Sequence, residues 1–141
     1  MTYPFNVRVY GALIWNEKIL LSKESYQNRS FTKLPGGGLE FGEGLKECLV
    51  REFAEELKFK VTVGNHLYTT DFFQVSAFNS SEQILSVYYR VFPNEDLIEP
   101  GNLVACEPGK EVFWKELNAL SDDDFTFPID KHIISLLKSL S

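Results

Sequence analysis

Apolar residues flank a short polar break near the start of the chain. Segments 7–14 and 19–21 are rich in β-branched and aromatic residues, and the break between them is Asn16-Glu17. This pattern predicts two strands joined as a hairpin. Residues 23–33 are polar, which predicts a loop before the glycines at positions 36–38.

Two later segments have a helical period. In the first, apolar side chains recur every four residues at Leu45, Leu49, Phe53 and Leu57. This spacing places them on one face of a helix over 45–57. The second stripe predicts an amphipathic helix over 129–140 and consists of Ile133, Leu136, Leu137 and Leu140.

Shorter apolar runs predict the remaining elements. Strands are expected over 61–63, 67–78, 84–92 and 111–114, with a turn at 79–81, a long loop over 93–108 and a helical turn at 117–120. Strands that alternate with two helices indicate a mixed α/β or α+β class. We expect one helix to cover each face of the sheet.

Length and charge narrow the class of protein. The 141 residues, 44% of them hydrophobic and 24% charged, are typical of one globular domain, here 1–141. The 20 acidic residues outnumber the 14 basic ones, for a net charge of −6. Because binding along a nucleic-acid backbone requires a basic face, this balance argues against polymeric DNA or RNA as a partner.

Cysteine content and hydropathy indicate the compartment. Cys48 and Cys106 form no metal-binding pair and are too few for a disulfide framework. Neither a signal-peptide pattern nor a membrane-spanning apolar run is present. We therefore expect a soluble, cytoplasmic protein that does not bind a membrane.

The most informative feature is an acidic edge on the first predicted helix. Glu52, Glu55 and Glu56 fall within an arc of about 100° on that helix. Like charges about 4 Å apart repel by roughly 4 kcal/mol at an effective dielectric near 20. Either local pairing, for example with Arg51, and solvation offset this repulsion, or a divalent cation such as Mg²⁺ does. The glycine turn before the helix favours the cation, since it exposes main-chain carbonyls.

Residues 37–59 resemble the Nudix box, G-x5-E-x7-R-E-U-x-E-E-x-G-U, in which U is aliphatic. The matching positions are Gly37, Glu43, Arg51-Glu52, Phe53, Glu55-Glu56 and Phe59. Lys58 replaces the second glycine, where the helix ends, and aromatic residues replace the aliphatic ones. The resemblance implies a Nudix-type α/β/α sandwich with a mixed β-sheet and a loop-helix-loop catalytic motif.

The resemblance also implies a metal-dependent hydrolase. Glu52, Glu55 and Glu56, with the carbonyl of Gly37, would hold Mg²⁺, for which Mn²⁺ would substitute. Arg51 would orient a box glutamate, and Glu43 would interact with the helix or with the metal shell.

The general base comes either from the box or from a later loop in this family. MutT-type members take it from a loop that precedes a strand bearing Trp. The corresponding stretch here offers Glu107 and Glu111. We favour Glu107 because it lies in the predicted loop, although either carboxylate has a simple alternative role as a solvated surface group.

Substrate contacts must come from outside the box. Arg29 and Arg90 are candidates for phosphate, and Asp130 either hydrogen-bonds a base, as residues near this place do in MutT-like members, or caps the last helix. Aromatic residues available to stack on a base, most of which we expect in the core, are Tyr68, Phe72, Phe73, Tyr88, Phe125 and Phe127. His66 and His132 are isolated, so we assign them structural roles.

These features predict a Mg²⁺-dependent pyrophosphohydrolase of a small nucleotide: a nucleoside triphosphate, ADP-ribose or a nucleotide sugar. A catalytically silent Nudix-like nucleotide sensor is the alternative, and a plain acidic scaffold is a third reading. The retained box glutamates argue against the sensor. Many relatives are dimers, so a homodimer is allowed, but no residue pattern specifies an interface.

Overall fold

The computed structural model describes residues 2–94 and 109–140. Its strands are β1 (Phe5–Trp15), β2 (Lys18–Tyr26), β3 (Arg29–Lys33), β4 (Gly36–Gly38), β5 (Val61–Thr69), β6 (Gln83–Pro93) and β7 (Lys110–Glu116). Its helices are α1 (Leu45–Leu57), α2 (Pro128–Lys131) and α3 (Ile134–Lys138), with 3₁₀ turns at Leu117–Ala119 and Asp122–Asp124.

The sheet is mixed, as predicted. Its strand order is β3-β2-β1-β6-β5, with β4 paired to β1 and β7 paired to β2. The β1 and β6 strands run parallel, and the other described pairs are antiparallel. This topology places β2 between β3 and β7, while β4, which carries the glycine turn, pairs with β1.

Two apolar clusters cover the two faces of the sheet. Val9 and Leu13 of β1 pack with residues of α1, whereas Tyr10 and Ala12 pack with the C-terminal elements. Because successive side chains of a strand point to opposite faces, the two clusters lie on opposite sides. Helices therefore cover both faces, and the α1 bounds agree with the predicted 45–57.

The predicted first hairpin is confirmed, but the predicted loop over 23–33 is wrong. The β2 strand continues to Tyr26 and pairs with β3 through a second tight turn at Gln27 and Asn28, whose φ angles are 52° and 62°. Only Phe31 and Lys33 of β3 are buried. The exposed ends of this hairpin carry polar side chains, which is why the composition indicated a loop.

Two other predicted elements are only partly right. Of the strand predicted over 67–78, only residues 67–69 belong to a regular strand, as the end of a single β5. Beyond it, the chain stays beside β6 through an isolated bridge between Val75 and Gln83 and main-chain hydrogen bonds at Thr70 and Gln74. The helix predicted over 129–140 is divided at Ile133, whose φ of −103° and ψ of 0° leave the helical range. Of its predicted apolar stripe, Ile133 and Leu137 are buried, whereas Leu136 and Leu140 are half-buried.

The remaining predicted elements agree with the structure, and the turn at 79–81, the strand over 84–92 and the 3₁₀ turn near 117–120 are all present. Among the described residues, no helix is both long and apolar enough to cross a bilayer. Cys106 and Glu107 lie outside the described residues, as does most of the predicted 93–108 loop.

Candidate active site

A left-handed residue ends the helix that carries the acidic edge. After Leu57 the chain turns at Lys58, whose φ is 48° and ψ is 43°. The Lys58 N–H donates to the carbonyl of Ala54 at 3.0 Å. Since a glycine would adopt this conformation without strain, the position of the missing box glycine keeps its backbone geometry but not its residue.

Arg51 forms ion pairs with three carboxylates of the Nudix box. Its Nε and Nη2 donate to the two oxygens of Glu43 at 2.9 and 2.7 Å, a bidentate pair. Nη1 donates to Glu52 Oε1 at 2.9 Å and to Glu55 Oε2 at 3.2 Å, and Nη2 also reaches the carbonyl of Gly38 at 3.1 Å. Hydrogen bonding from Arg51 lowers the pKa of Glu43 to about 2. We call these five residues the Arg51 cluster.

The carboxylate of Glu52 lies directly against the glycine turn. A Cβ atom at Gly37 would stand 2.5 Å from Glu52 Cδ, closer than real Cβ atoms approach other groups. Only glycine therefore fits at position 37 with Glu52 in this place. The turn and α1 bring a main chain and a carboxylate together at one point.

Glu56 is held by a different cation. Its side chain is nearly buried, at 5% exposure, and its Oε1 accepts a hydrogen bond from Lys110 Nζ at 3.0 Å. Burial raises the pKa of Glu56 despite the nearby ammonium groups of Lys33 and Lys110. A buried carboxylate that stays charged needs such a counter-charge.

Lys110 is part of a row of alternating charges across three strands. Its Nζ lies 3.7 Å from Glu24 Oε1, and that oxygen lies 3.0 Å from Lys33 Nζ. Burial alone would raise the pKa of Glu24, but the surrounding Lys33, Lys110 and Arg8 lower it. We call Glu56, Lys110, Glu24 and Lys33 the charge row. It runs from α1 through β7 and β2 to β3.

The charge row ends in a cavity of about 190 Å³ on the side of the sheet away from α1's apolar cluster. Phe31, Phe78 and Phe127 line it and contact one another, with ring centroids 5.4 to 6.2 Å apart. Lys33 and Arg8 line it as well. We call this cavity the aromatic pocket.

Asp130 forms the buried acidic part of the aromatic pocket. It is 2% exposed and accepts a hydrogen bond from Tyr88 Oη at 2.5 Å. Burial raises its pKa to about 6, although the Tyr88 hydrogen bond and the charges of Lys33 and Arg8 act in the opposite direction. The pocket thus combines apolar walls with hydrogen-bonding groups of both signs.

The NUDIX domain profile matches residues 5–137. This chain belongs to the Nudix family. Solved structures support the shared fold: the MutT protein from Methanosarcina mazei Go1 is 17% identical over 99% of this chain and 97% of its own, with a TM-score of 0.77. The E. coli ORF135 protein is 21% identical over 97% of this chain and 91% of its own, with a TM-score of 0.72. An ADP-ribose pyrophosphatase from Streptococcus suis 89-1591 is 18% identical over 96% of this chain and 90% of its own, with a TM-score of 0.61.

The Nudix box residues fit a divalent metal in their chemistry. Gly37, Glu52, Glu55 and Glu56 offer only oxygen donors, and the missing side chain at Gly37 leaves room for the Glu52 carboxylate beside the turn. Among the described residues, no three acidic, histidine or cysteine side chains converge on one point. Instead, Arg51 binds Glu52 and Glu55, while Lys110 binds Glu56.

The structure places the predicted substrate contacts in different surroundings. Arg29 begins β3 and lies 5.6 Å from the ring centre of Phe78; Phe78 lines the aromatic pocket, but Arg29 does not. Arg90 instead lies over Phe92, 4.9 Å from its ring centre, and is not among the pocket residues. The suggestion that Asp130 caps a helix is wrong, because Phe127 occupies the N-cap of α2.

Of the six predicted aromatic residues, Phe127 alone lines the aromatic pocket. Tyr88 donates a hydrogen bond to Asp130, and Phe125 is in the core. Phe72 stacks on His132 with ring centroids 4.4 Å apart, and His66 Nε2 pairs with Thr69 Oγ1 at 2.7 Å.

The two predicted candidates for the general base differ in what is known of them. Glu107 lies outside the described residues. Glu111 follows Lys110 in β7, so its side chain points to the face opposite the one on which Lys110 meets Glu56.

Most residues of the aromatic pocket were not predicted from the sequence. Phe31 and Lys33 were assigned to a loop, and Phe78 and Arg8 were treated as ordinary strand residues. Phe31 and Lys33 are both buried, on either side of Thr32, only because β3 pairs with β2. Lys33 is charged, so the sequence around it shows no alternation of apolar residues that would indicate a strand.

Proposed function

We propose that this Nudix protein hydrolyses the diphosphate linkage of a small nucleotide with the help of Mg²⁺, for which Mn²⁺ would substitute. The observation that carries the proposal is the charge row, which connects the box glutamate Glu56 to the aromatic pocket through contacts of 3.0 to 3.7 Å. A metal-binding edge and a pocket for a planar ring therefore adjoin, as a nucleotide with its diphosphate requires.

The aromatic pocket is suited to a nucleobase. Phe31, Phe78 and Phe127 supply flat apolar walls, and aromatic rings pack favourably in offset or edge-to-face arrangements. Lys33 donates hydrogen bonds, whereas ionised Asp130 accepts them. A base offers both donors and acceptors on its edge, so both groups would be used.

Glu52, Glu55 and Glu56, with the Gly37 carbonyl, are the proposed metal ligands. When bound, the metal would supply Lewis-acid activation of the diphosphate and would lower the pKa of a water nucleophile. Arg51 holds Glu43 and Glu52 in fixed orientations through its hydrogen bonds at 2.7 to 2.9 Å. Glu107 remains our proposed general base, and Arg29, beside Phe78, is a proposed phosphate contact.

The substrate proposal covers nucleoside triphosphates, ADP-ribose and nucleotide sugars. Proteins of the same fold include a MutT protein and an ADP-ribose pyrophosphatase. The nucleoside triphosphate is our first choice, since the aromatic pocket, of about 190 Å³, is suited to one base.

A nucleotide panel with Mg²⁺ tests the proposal. The purified protein is incubated with each nucleotide, and the released nucleoside monophosphate and phosphorylated product are separated by chromatography. We expect turnover of at least one compound, which chelation of the metal abolishes. Binding without turnover across the panel would contradict the proposal and favour the silent sensor.

The matched variants are E56Q and E47Q. Both remove one negative charge from α1, but Glu47 is exposed and its oxygen, which the amide retains, accepts only the Gly44 N–H at 3.2 Å. E56Q should lose Mg²⁺-dependent turnover while remaining folded by circular dichroism, and E47Q should retain it. Wild-type turnover by E56Q would remove Glu56 from the mechanism.

A further inference from the structure

Lys110 is placed where it competes with a metal for Glu56. Its Nζ lies 3.0 Å from Glu56 Oε1, closer than the 3.7 Å to Glu24 Oε1. The Glu56 side chain is 7% exposed, so water supplies little of the solvation that its charge needs. In the metal-free protein, the ammonium group of Lys110 provides the direct hydrogen-bonded counter-charge, and the charge of Lys33 adds to it.

Simultaneous binding of a divalent cation and an ammonium group to this carboxylate would be unfavourable. Two positive charges a few ångströms apart repel strongly where surrounding protein excludes water. Metal binding at Glu56 therefore requires that Lys110 withdraw. The Lys110 side chain is flexible and 24% exposed, so it has room to move.

Glu24 provides the place to which Lys110 would withdraw. The two residues are directly paired across β2 and β7. Their charged atoms are already 3.7 Å apart, so a small rotation exchanges one carboxylate for the other. Lys110 would remain neutralised, which makes the exchange reversible.

We propose that Lys110 is an exchangeable counter-ion that occupies Glu56 in the metal-free protein and thereby lowers the affinity of the site for divalent metal. The inference rests on the metal site of the proposed function. It adds a residue outside the Nudix box that sets how much free metal the protein needs. Because a metal titration without nucleotide measures it, hydrolysis is not required for the test.

The experiment uses the full chain and the variants K110M and K110Q. Binding of Mg²⁺ and Mn²⁺ is measured by calorimetry without nucleotide, and thermal unfolding is followed with and without metal. K110M should lower the metal-free melting temperature by about 3–6 °C and bind metal about tenfold more tightly. K110Q keeps a hydrogen-bond donor for Glu56 without the charge, so it should show the tighter binding even if K110M folds poorly.

Two controls isolate the counter-ion role. K110R keeps the charge and should resemble the wild type in metal affinity. K115M breaks an ion pair of the same strand, Lys115 Nζ to Asp124 Oδ1 at 3.2 Å, and should leave metal affinity unchanged. Unchanged or weaker metal binding by both neutral variants would overturn the proposal.

Failure of the proposed function would look different. If metal binds, the neutral variants bind it more tightly and no nucleotide is cleaved, hydrolysis is wrong and the counter-ion role stands. If neither the wild type nor any variant binds metal, the metal site and the counter-ion role are both wrong.

Discussion

Two cations neutralise the box glutamates, and their settings differ. Arg51 is in the box itself and binds Glu43, Glu52 and Glu55 through a rigid planar group. Lys110 comes from a strand 54 residues away and binds Glu56 through a single flexible ammonium. Arg51 is therefore a fixed part of the framework, whereas the single contact of Lys110 suits the exchangeable counter-ion proposed above.

Removal of Arg51 is expected to have the largest effect on stability. R51M leaves Glu43 and Glu52, with side chains 14% and 13% exposed, without their cation. The free energy of unfolding should fall by about 2–4 kcal/mol, since charge-assisted and partly buried bonds are lost. Urea denaturation of the metal-free protein measures it.

R51K is the matched variant, because it keeps the charge but cannot form the bidentate pair with Glu43. Its loss should be about half that of R51M. The comparison between the two cations would fail if K110M destabilised the metal-free protein as much as R51M does.

Asp130 lines the aromatic pocket, in which the charge row ends, and the pH dependence of stability tests its surroundings. Burial raises its pKa to about 6, above the unfolded value of about 3.9. The folded protein therefore holds this proton more tightly, and the stability associated with it is complete below pH 4 and lost as pH rises through 6. The loss should be about 2–3 kcal/mol.

D130N supplies the reference for that profile. Its amide oxygen still accepts the Tyr88 hydrogen bond but does not titrate, so the wild-type minus D130N difference should change between pH 4 and 6. Chemical denaturation at a series of pH values measures it. Parallel profiles for the two proteins would show that Asp130 does not titrate in this range.

Substitution of Gly37 tests the contact between Glu52 of the Arg51 cluster and the glycine turn. In G37A the new methyl group would stand 2.5 Å from Glu52 Cδ, and Glu52 must move away from it. We expect a stability loss of about 1–2 kcal/mol and turnover reduced by about 100-fold through displacement of a proposed ligand.

G38A is the control for this substitution. At Gly38 the nearest atom to an added Cβ is Arg8 Nη1 at 3.4 Å, which is an ordinary contact. Stability is measured by urea denaturation and turnover with the substrate that the panel identifies. Equal effects of G37A and G38A would mean that the Glu52 contact is unimportant.

The same two regions show what the sequence could predict. The Arg51 cluster is local: its acids and its arginine lie within the box, so helical spacing and the resemblance were sufficient, and α1 has the predicted bounds. The aromatic pocket is assembled by strand pairing. Phe31, Phe78 and Arg8 meet only because β1 and β3 share a sheet and residues 74–78 fold over it.

Long-range pairing leaves no local pattern, and that is why Lys110 was missed as well. It was predicted simply to precede a strand, and its partner Glu24 was placed in a loop. Their contact depends on the register of β2 with β7, which no spacing within either segment reveals.

Lys58 is expected to give the smallest effect and the only gain in stability. It closes α1 with φ at 48°, where a side chain costs about 1–2 kcal/mol, and glycine offsets part of that relief through its greater freedom in the unfolded chain. K58G should therefore raise the free energy of unfolding by about 0.5–1 kcal/mol in urea denaturation. Lys60 is the control, because it is not among the described non-glycine residues with positive φ, so K60G should be neutral or destabilising.

If K58G destabilised the protein, as K60G is expected to do, the missing box glycine would have been replaced by a residue whose side chain contributes to the fold. If instead K58G is more stable and its metal affinity is unchanged, the backbone at the end of α1 is independent of the carboxylates that Arg51 and Lys110 hold.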